Sequence, residues 1–161
     1  MNDTQRCYHV CFVCSGNICR SPIAEKVFAA ALDEAGLADQ VRVTSAGLGD
    51  WHVGGPADDR AAALLRKYGY SDAHVAQQVG RDCLDADLVV ALDGGHLREL
   101  ANAVDDASRV RLLRSFDPVA PDGAEVPDPY WGGPRGFEDV LAMIEAAVPD
   151  MLDWVRQRLP E

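Results

Sequence analysis

The interpretation of this chain starts from one segment, Val13-Cys14-Ser15-Gly16-Asn17-Ile18-Cys19-Arg20-Ser21-Pro22. Cys14 and Arg20 enclose five residues, among them a glycine and an asparagine, the residue types that most readily adopt φ > 0. The residues that follow predict a helix, with Ser21 as N-cap and Pro22 in the first turn. A loop of this kind in front of a helix directs backbone N–H groups at one point and predicts an anion site. A nucleophile at one end and a guanidinium at the other favour a phosphoryl group as the anion.

The composition is that of an ordinary globular protein, and the charge restricts the possible partners. The chain has 161 residues, of which 48% are hydrophobic and 25% charged, and this predicts a single domain over residues 1–161. The net charge of −11 argues against nucleic acid and against anionic membranes as partners. An anionic substrate must therefore be attracted by a local positive field at the Cys14 loop.

The N-terminal sequence and the cysteines favour a cytoplasmic protein. There is no apolar run of about 20 residues and no basic, apolar leader, and residues 1–6 are polar, which predicts a flexible tail. The cysteines are odd in number and crowded near the N-terminus, unlike a disulfide framework: Cys7, Cys11, Cys14, Cys19 and Cys83. Export by a route that uses no leader remains an alternative.

Strand and helix patterns alternate along the chain. Short runs rich in β-forming or apolar residues predict strands over 8–13, 41–45, 86–92 and 110–113. Helical periodicity predicts helices over 21–35, 57–68, 96–103 and from 137 onward, and Pro149 should kink or split the last one. This alternation predicts an α/β fold with a parallel sheet covered on both faces, and a long structured loop over 115–136. Ligands of such sheets bind at the carboxyl ends of strands, where the Cys14 loop begins.

The loop chemistry follows from the same features. Groups that hold a phosphate dianion also stabilise a thiolate, so Cys14 becomes a nucleophile able to attack phosphorus. Arg20 is suited to holding two phosphate oxygens in a bidentate fashion, and Ser21 to a hydrogen bond with the sulfur. The alternative is that Cys14 is a small buried residue, as most cysteines are. That reading leaves the Cys-x5-Arg-Ser spacing between a strand and a helix unexplained.

Several segments together resemble one family. They are Cys14-Ser-Gly-Asn-Ile-Cys-Arg-Ser-Pro22, Thr44-Ser45-Ala46-Gly47, Asp50-Trp51, Gly55-Pro56-Ala57-Asp58, Ala73-His74 and Asp128-Pro129-Tyr130. The chain resembles the low-molecular-weight protein tyrosine phosphatases over essentially its whole length. The resemblance implies a three-layer α/β/α fold with a four-stranded parallel sheet of order 2-1-3-4. It also implies a phosphocysteine intermediate, no metal or other cofactor, phosphotyrosine-containing proteins as partners, and a monomer.

The resemblance gives the site a proton donor. Asp128 lies between two prolines and corresponds to the family's general acid, which protonates the leaving phenolate and then activates water. Without the resemblance, the simpler interpretation is a turn aspartate beside proline.

Three large aromatic residues lie on loops and are interpreted as walls of a substrate slot: Trp51, Tyr130 and Trp131. Such walls would hold a phenyl ring and set a depth that phosphoserine does not reach. The alternative is ordinary loop packing, most of all for Trp131. Because Trp131 stands where many relatives carry a second tyrosine, Tyr130 is the remaining candidate for a regulatory tyrosine kinase.

The phosphate-binding loop itself comprises Cys14, Ser15, Gly16, Asn17, Ile18, Cys19 and Arg20. Within it, Asn17 is expected to hold a left-handed turn, and His74 resembles the family histidine that hydrogen-bonds the loop. Cys19 lies close enough to Cys14 in sequence to be its disulfide partner on oxidation. Packing roles remain open for His74 and Cys19. The Cys11-x2-Cys14 spacing is that of a zinc site, but nothing in the sequence completes four ligands, and no metal is expected.

Three rival functions use a similar loop. A thioredoxin-coupled arsenate reductase needs two further cysteines to relay a disulfide, and only Cys83 is available. A phosphocarrier subunit of a sugar phosphotransferase system has no use for Arg20 and an acid. A non-catalytic phosphotyrosine-binding module is expected to lose Cys14 or Asp128. A nucleotide-binding P-loop is excluded because the Gly-Lys-Ser/Thr signature is missing.

Overall fold

A four-stranded parallel sheet forms the centre of the molecule in a computed structural model that describes residues 7–130, 132 and 134–159. The strands are β1 (Tyr8–Cys14), β2 (Val41–Gly47), β3 (Leu88–Ala91) and β4 (Val110–Leu112). Their order is β2-β1-β3-β4, and every pairing is parallel. The predicted sheet and its order are confirmed. The predicted tail over 1–6 and the prediction for Trp131 lie outside the described residues.

Helices cover both faces of the sheet and make the fold a three-layer α/β/α sandwich. They are α1 (Arg20–Glu34), α2 (Asp59–Lys67), α3 (Arg81–Leu84), α4 (Gly94–Ala103) and α5 (Pro134–Arg156). Because side chains alternate along a strand, Val10 and Phe12 of β1 pack in one core with residues of α1, α2 and α5. Cys11 and Val13 face the second core, with residues of α3 and α4. This central strand is buried from His9 onward and ends at Cys14.

The start of α1 differs from the sequence prediction in one respect. The helix begins at Arg20 with Cys19 in the N-cap position, so the prediction of Ser21 as N-cap is wrong. Ser21 lies within the first turn, and its hydroxyl contacts the sulfur of Cys14 instead of a backbone N–H group. The contact agrees with the predicted hydrogen bond between Ser21 and the Cys14 sulfur, so only the prediction of the helix cap is wrong.

The last helix runs through Pro149 without a break, so the prediction that this proline splits it is wrong. Pro149 lies on the exposed side, where water can satisfy the carbonyl that loses its helical partner. On the buried side, Ile144 and Ala147 before the proline and Met151 after it pack in one core. Continuous burial across the proline holds the two halves in one helix.

Sequence patterns missed α3, a single turn between two loops, and misplaced several element ends by two or three residues. One-turn helices carry too few residues for a periodic signal. The predicted loop over 115–136 begins inside a 3₁₀ turn, Leu113–Phe116, and ends where α5 starts at Pro134. Among the helices of the described residues, none is both long and apolar enough to cross a membrane.

Candidate active site

The loop from Cys14 to Arg20 connects the carboxyl end of β1 to α1. Because β1 is an interior strand, the loop lies near the middle of the carboxyl-terminal side of the sheet. Its backbone lies directly against the end of β2, where Gly47 pairs with Cys14. A Cβ atom at Gly47 would come within 2.9 Å of Ser15 O and of the carbonyl carbon of Gly16. Only glycine permits this approach.

The carbonyl groups of the loop are held by donors outside it. Cys14 O accepts from Leu48 N at 3.0 Å, and Ser15 O accepts from Gly49 N at 2.9 Å. Ile18 O accepts from Asp58 N at 2.9 Å. Because C=O and N–H point in opposite directions across a trans peptide, carbonyls held outward leave N–H groups directed inward. The loop is therefore built as an anion-binding ring before any anion arrives.

Asn17 organises the interior of this ring. It is fully buried and has a left-handed backbone conformation with φ of 60°, and its carbonyl lies 2.7 Å from His74 Nε2. Its side-chain oxygen accepts from the backbone N–H of Gln77 at 2.9 Å, which fixes the orientation of the amide. The Nδ2 group therefore donates to two hydroxyls, those of Ser21 at 2.8 Å and Ser45 at 3.0 Å.

The hydroxyl of Ser21 accepts from Asn17 Nδ2 and lies 2.9 Å from the sulfur of Cys14, so its proton is available to that sulfur. A thiolate at this position would accept the hydrogen bond, because a thiolate accepts hydrogen bonds but cannot donate them. On the other side of Asn17, Ser45 Oγ donates to Glu25 Oε1 at 2.5 Å. Asn17 thus connects the Cys14 sulfur, through Ser21, with the Glu25 carboxylate, through Ser45.

Arg20 is almost completely buried, at 3% exposure, and its guanidinium is held on two sides. Its Nη1 atom lies 3.0 Å from Asp93 Oδ2 and donates to Val126 O at 2.9 Å. Burial raises the pKa of Asp93, but hydrogen bonds from His96 N and from Arg20 outweigh it and leave this pKa below its ordinary value. The ionised Asp93 carboxylate anchors the guanidinium beside the loop.

Asp128 stands at the mouth of the site with 43% of its side chain exposed. Its Oδ2 atom lies 3.7 Å from Arg20 Nη2, and its Oδ1 atom accepts from the backbone N–H of Tyr130 at 3.0 Å. The residue therefore makes the local turn that its proline neighbours suggest and also lies over the anion site. The two interpretations are compatible.

These residues line one open pocket of about 410 Å³. Its wall includes Ile18, Trp51, His52 and Tyr130. Trp51 is 72% exposed, and its ring lies over Gly49, where a Cβ atom would meet the ring at 2.1 Å. The Tyr130 ring is covered on its other side by the Arg60 guanidinium, 5.2 Å from the ring centroid. An apolar slot thus leads down to the loop.

His74 and Cys19, which the sequence also predicts at the loop, both have pKa values shifted toward the neutral side chain. Burial lowers the pKa of His74, although its contact with Asn17 O raises it. Burial, and then the charge of Asp58, raise the pKa of Cys19 to about 12, so this thiol stays protonated. Cys19 also lines the pocket. Within the described residues, no three His, Cys, Asp or Glu side chains gather as a metal site would require.

Sequence reasoning missed several residues that hold the site together: Glu25, Ser45, His52, Gln77, Asp93 and His96. A signal existed for Asp93, because it follows β3 at the same sheet edge as Cys14 and caps α4. Ser45 lies in a segment that carries the family resemblance, but no periodic or spacing signal assigned a role to it or to Glu25, because those roles depend on how β2 and α1 meet.

Comparison with known proteins gives the family. The family model described as low molecular weight phosphotyrosine protein phosphatase matches residues 9–160. The low molecular weight protein-tyrosine phosphatase A of Mycobacterium bovis is 57% identical over 152 residues, which cover 94% of this chain and 93% of the relative.

Solved structures agree. A protein tyrosine phosphatase from Entamoeba histolytica superposes with a TM-score of 0.87 at 29% identity, covering 92% of this chain and 97% of the other. A drosophila arginine phosphatase superposes with a TM-score of 0.82 at 30% identity, covering 91% and 96%. Fold, loop and sequence together show that this chain belongs to the low molecular weight phosphotyrosine protein phosphatase family.

Proposed function

We propose that this protein hydrolyses phosphotyrosine in other proteins, with Cys14 as nucleophile, Arg20 as phosphate ligand and Asp128 as general acid and base. One observation carries the proposal: the Cys14 sulfur lies 2.9 Å from the Ser21 hydroxyl, in a pocket that Arg20 and Asp128 also line. A nucleophile, a phosphate ligand and a proton donor thus share one pocket.

In the first step, the Cys14 thiolate attacks phosphorus opposite the phenolic oxygen. The S–P bond forms as the P–O bond breaks, and the electron pair of that bond leaves on the phenolate oxygen. Asp128, half-exposed at the mouth, gives this oxygen its proton. Arg20 and the loop N–H groups stabilise the charge on the three equatorial oxygens.

In the second step, water attacks the phosphocysteine. Asp128, now ionised, takes a proton from the water, and the P–S bond breaks to release phosphate. Ser21 stabilises the departing thiolate through the hydrogen bond that it already donates at 2.9 Å. The chemistry needs only these side chains and water.

The pocket favours an aryl phosphate over other phosphate esters. Ile18, Trp51 and Tyr130 present apolar surface above the loop, which suits a phenyl ring. A charged guanidinium would gain less from these apolar walls. This distinction matters because one structural neighbour is described as an arginine phosphatase.

The deciding experiment measures phosphate release from matched peptides that carry phosphotyrosine, phosphoserine or phosphoarginine, in excess EDTA. We expect turnover of the phosphotyrosine peptide alone and its loss in Cys14→Ser. Cys83→Ser is the control, because Cys83 is buried in the core on the opposite face of the sheet. Equal rates for wild type and Cys14→Ser refute the proposal, and preferred phosphoarginine turnover reassigns the substrate.

The position of Cys83 also bears on the rival arsenate reductase. A disulfide relay needs its second cysteine near the nucleophile, but Cys83 packs with Cys11 in the core away from the Cys14 sulfur. This arrangement supports the phosphatase over the reductase.

We further propose Cys19 as the redox partner of Cys14. Peroxide would convert the Cys14 thiolate to a sulfenic acid and hydroxide, and the Cys19 thiol would then displace water from the sulfenic acid to form a disulfide. We expect wild type treated with peroxide to regain activity with dithiothreitol, and Cys19→Ser to regain much less. Equal recovery removes Cys19 from this role, and Cys83→Ser is the control for thiol content.

Phosphoproteins are the partners that this function implies. A cytoplasmic location, a monomeric state and a tyrosine kinase acting on Tyr130 stay predictions. For Tyr130, the half-buried ring packed under Arg60 would have to leave the pocket wall before a kinase could reach it.

A further inference from the structure

A second hydrogen-bonded group touches the loop from the α4 side and has no part in the steps above. The hydroxyl of Ser15, a loop residue that lines the pocket, lies 3.0 Å from His96 Nε2. The other ring nitrogen of His96, Nδ1, lies 3.4 Å from Asp93 Oδ1. The order serine, histidine, aspartate thus runs from the phosphate pocket to the carboxylate that anchors Arg20.

His96 is unusually placed for a titratable residue. It is 4% exposed, and its Nδ1 atom is buried without a hydrogen-bond partner among the described residues. A bare buried nitrogen is costly unless a neighbouring group pairs it. An N–H at Nδ1 would face the Asp93 carboxylate, so Nδ1 is the nitrogen that carries the proton of the neutral ring, and Nε2, beside Ser15, is the nitrogen that can gain a second one.

The charges around His96 come from three parts of the chain. Burial lowers the pKa of His96, and the positive Arg20 of α1 lowers it as well. Asp93 at the start of α4, and Asp128 and Glu125 of the loop before α5, raise it. The net result lies below the ordinary value, so His96 is neutral in the free protein at neutral pH. Any added negative charge in the pocket shifts the balance toward the protonated ring.

We propose that Asp93, His96 and Ser15 form a relay that sets the direction of the Ser15 hydroxyl, so that binding of a phosphate-like dianion in the Cys14 loop is coupled to protonation of His96. His96 is thus a positioning residue for the phosphate pocket. The inference rests on the proposed role of this loop as a phosphate site.

The direction of the hydroxyl follows from the two states of the ring. In the neutral ring, the proton belongs on Nδ1, because a bare Nδ1 would place its lone pair against the Asp93 carboxylate. Nε2 then accepts from Ser15, whose oxygen turns its lone pairs toward the pocket. In the protonated ring, Nε2 donates to Ser15, and the Ser15 proton becomes free to point at an anion. A dianion therefore prefers the second state.

Thermodynamic linkage predicts the direction in which the affinity for an anion changes with pH. A ligand that prefers the protonated form takes up a proton on binding, so its affinity rises as pH falls through the range in which free His96 is neutral. Sulfate is a suitable probe because it remains a dianion across this range, unlike inorganic phosphate. Cys14→Ser is the suitable background because it has no thiolate at the loop to titrate.

The experiment measures sulfate affinity by calorimetry between about pH 5 and pH 8, where we expect about tenfold tighter binding at the acidic end. In Cys14→Ser/His96→Gln, the amide can still donate to Ser15 but cannot take up a proton, and the ratio should fall to about twofold. Cys14→Ser/Ser15→Ala should lose the same pH dependence while leaving His96 buried. In the NMR spectrum, sulfate should move the His96 titration toward higher pH.

The outcomes separate this inference from the proposed function. Sulfate binding with the same pH dependence in all three proteins, or a His96 titration unchanged by sulfate, overturns the relay and leaves the phosphatase proposal intact. No sulfate binding at any pH overturns both, because the loop is then not an anion site. If His96→Gln fails to fold, Ser15→Ala and the NMR titration still decide the matter.

Discussion

Ser21 is the residue whose side chain lies against the sulfur of the proposed nucleophile. Its hydroxyl accepts from Asn17 Nδ2 and lies 2.9 Å from the Cys14 sulfur. A hydrogen bond to a charged group contributes about 1.5–3 kcal/mol. A thiolate at Cys14 would therefore gain a measurable share of its stability from this hydroxyl.

For Ser21→Ala we expect kcat for an aryl phosphate to fall by about tenfold to a hundredfold, since the departing thiolate loses its donor. Steady-state assays with para-nitrophenyl phosphate measure this effect. The matched control is Ser108→Ala, whose hydroxyl binds only Asp106 on the surface. An unchanged kcat in Ser21→Ala would show that the thiolate does not depend on this donor.

In the proposed mechanism Asp128 protonates the leaving group, so its removal should lower kcat/KM most when that group is basic. For Asp128→Ala we expect a large loss of kcat/KM with phosphotyrosine or phenyl phosphate and a small one with a nitrophenyl ester, because a good leaving group needs little protonation. Asp122→Ala is the control, an exposed aspartate in the same loop. A loss independent of the leaving group removes Asp128 from the role of acid.

At the scale of elements, the contact between β2 and the Cys14 loop holds the anion site in shape. In Gly47→Ala, a methyl group would meet loop backbone atoms at 2.9 Å. We expect the loss of about 1–3 kcal/mol in unfolding free energy, measured with urea, and weaker phosphate inhibition. Gly80→Ala is the matched control, because a Cβ there meets no atom within 4 Å. Equal stability of the two variants would contradict the packing argument.

Sequence patterns predicted the helices and strands well where a periodic pattern repeats, and poorly where tertiary contacts determine the local structure. The parallel strands followed from alternating patterns and their order from the family resemblance, while Cys14 and Arg20 were singled out by motif spacing and Asp128 by the resemblance. The continuous course of α5 did not follow, because burial on both sides of Pro149 outweighs the local preference of proline. His96 was missed because its contact with Ser15 appears only when β3 and β1 pair and bring α4 beside the Cys14 loop.

At the scale of the whole molecule, we expect mild acidification to lower the free energy of unfolding through its buried histidines. Burial lowers the pKa of His9, His74 and His96 below the ordinary value of 6.5. The unfolded chain therefore binds more protons than the folded one as pH falls below 6.5, and stability is lost over that window.

We expect the unfolding free energy to decrease between about pH 7 and pH 5, by at most about 1.4 kcal/mol per pH unit for each histidine. Urea titrations at several pH values measure this slope. His9→Asn should make the slope shallower, because one buried imidazole is removed. A flat profile over this window would contradict burial of the three rings in neutral form.

The outward-held carbonyls of the Cys14 loop have a consequence for the working enzyme. A loop that is preorganised in this way binds the phosphate group itself, whether the phosphate is still esterified in the substrate or already released as product. We therefore expect product inhibition by free phosphate, competitive with substrate, which steady-state inhibition at several phosphate concentrations would reveal. Turnover would then respond to the surrounding supply of phosphate as well as to the abundance of tyrosine-phosphorylated proteins.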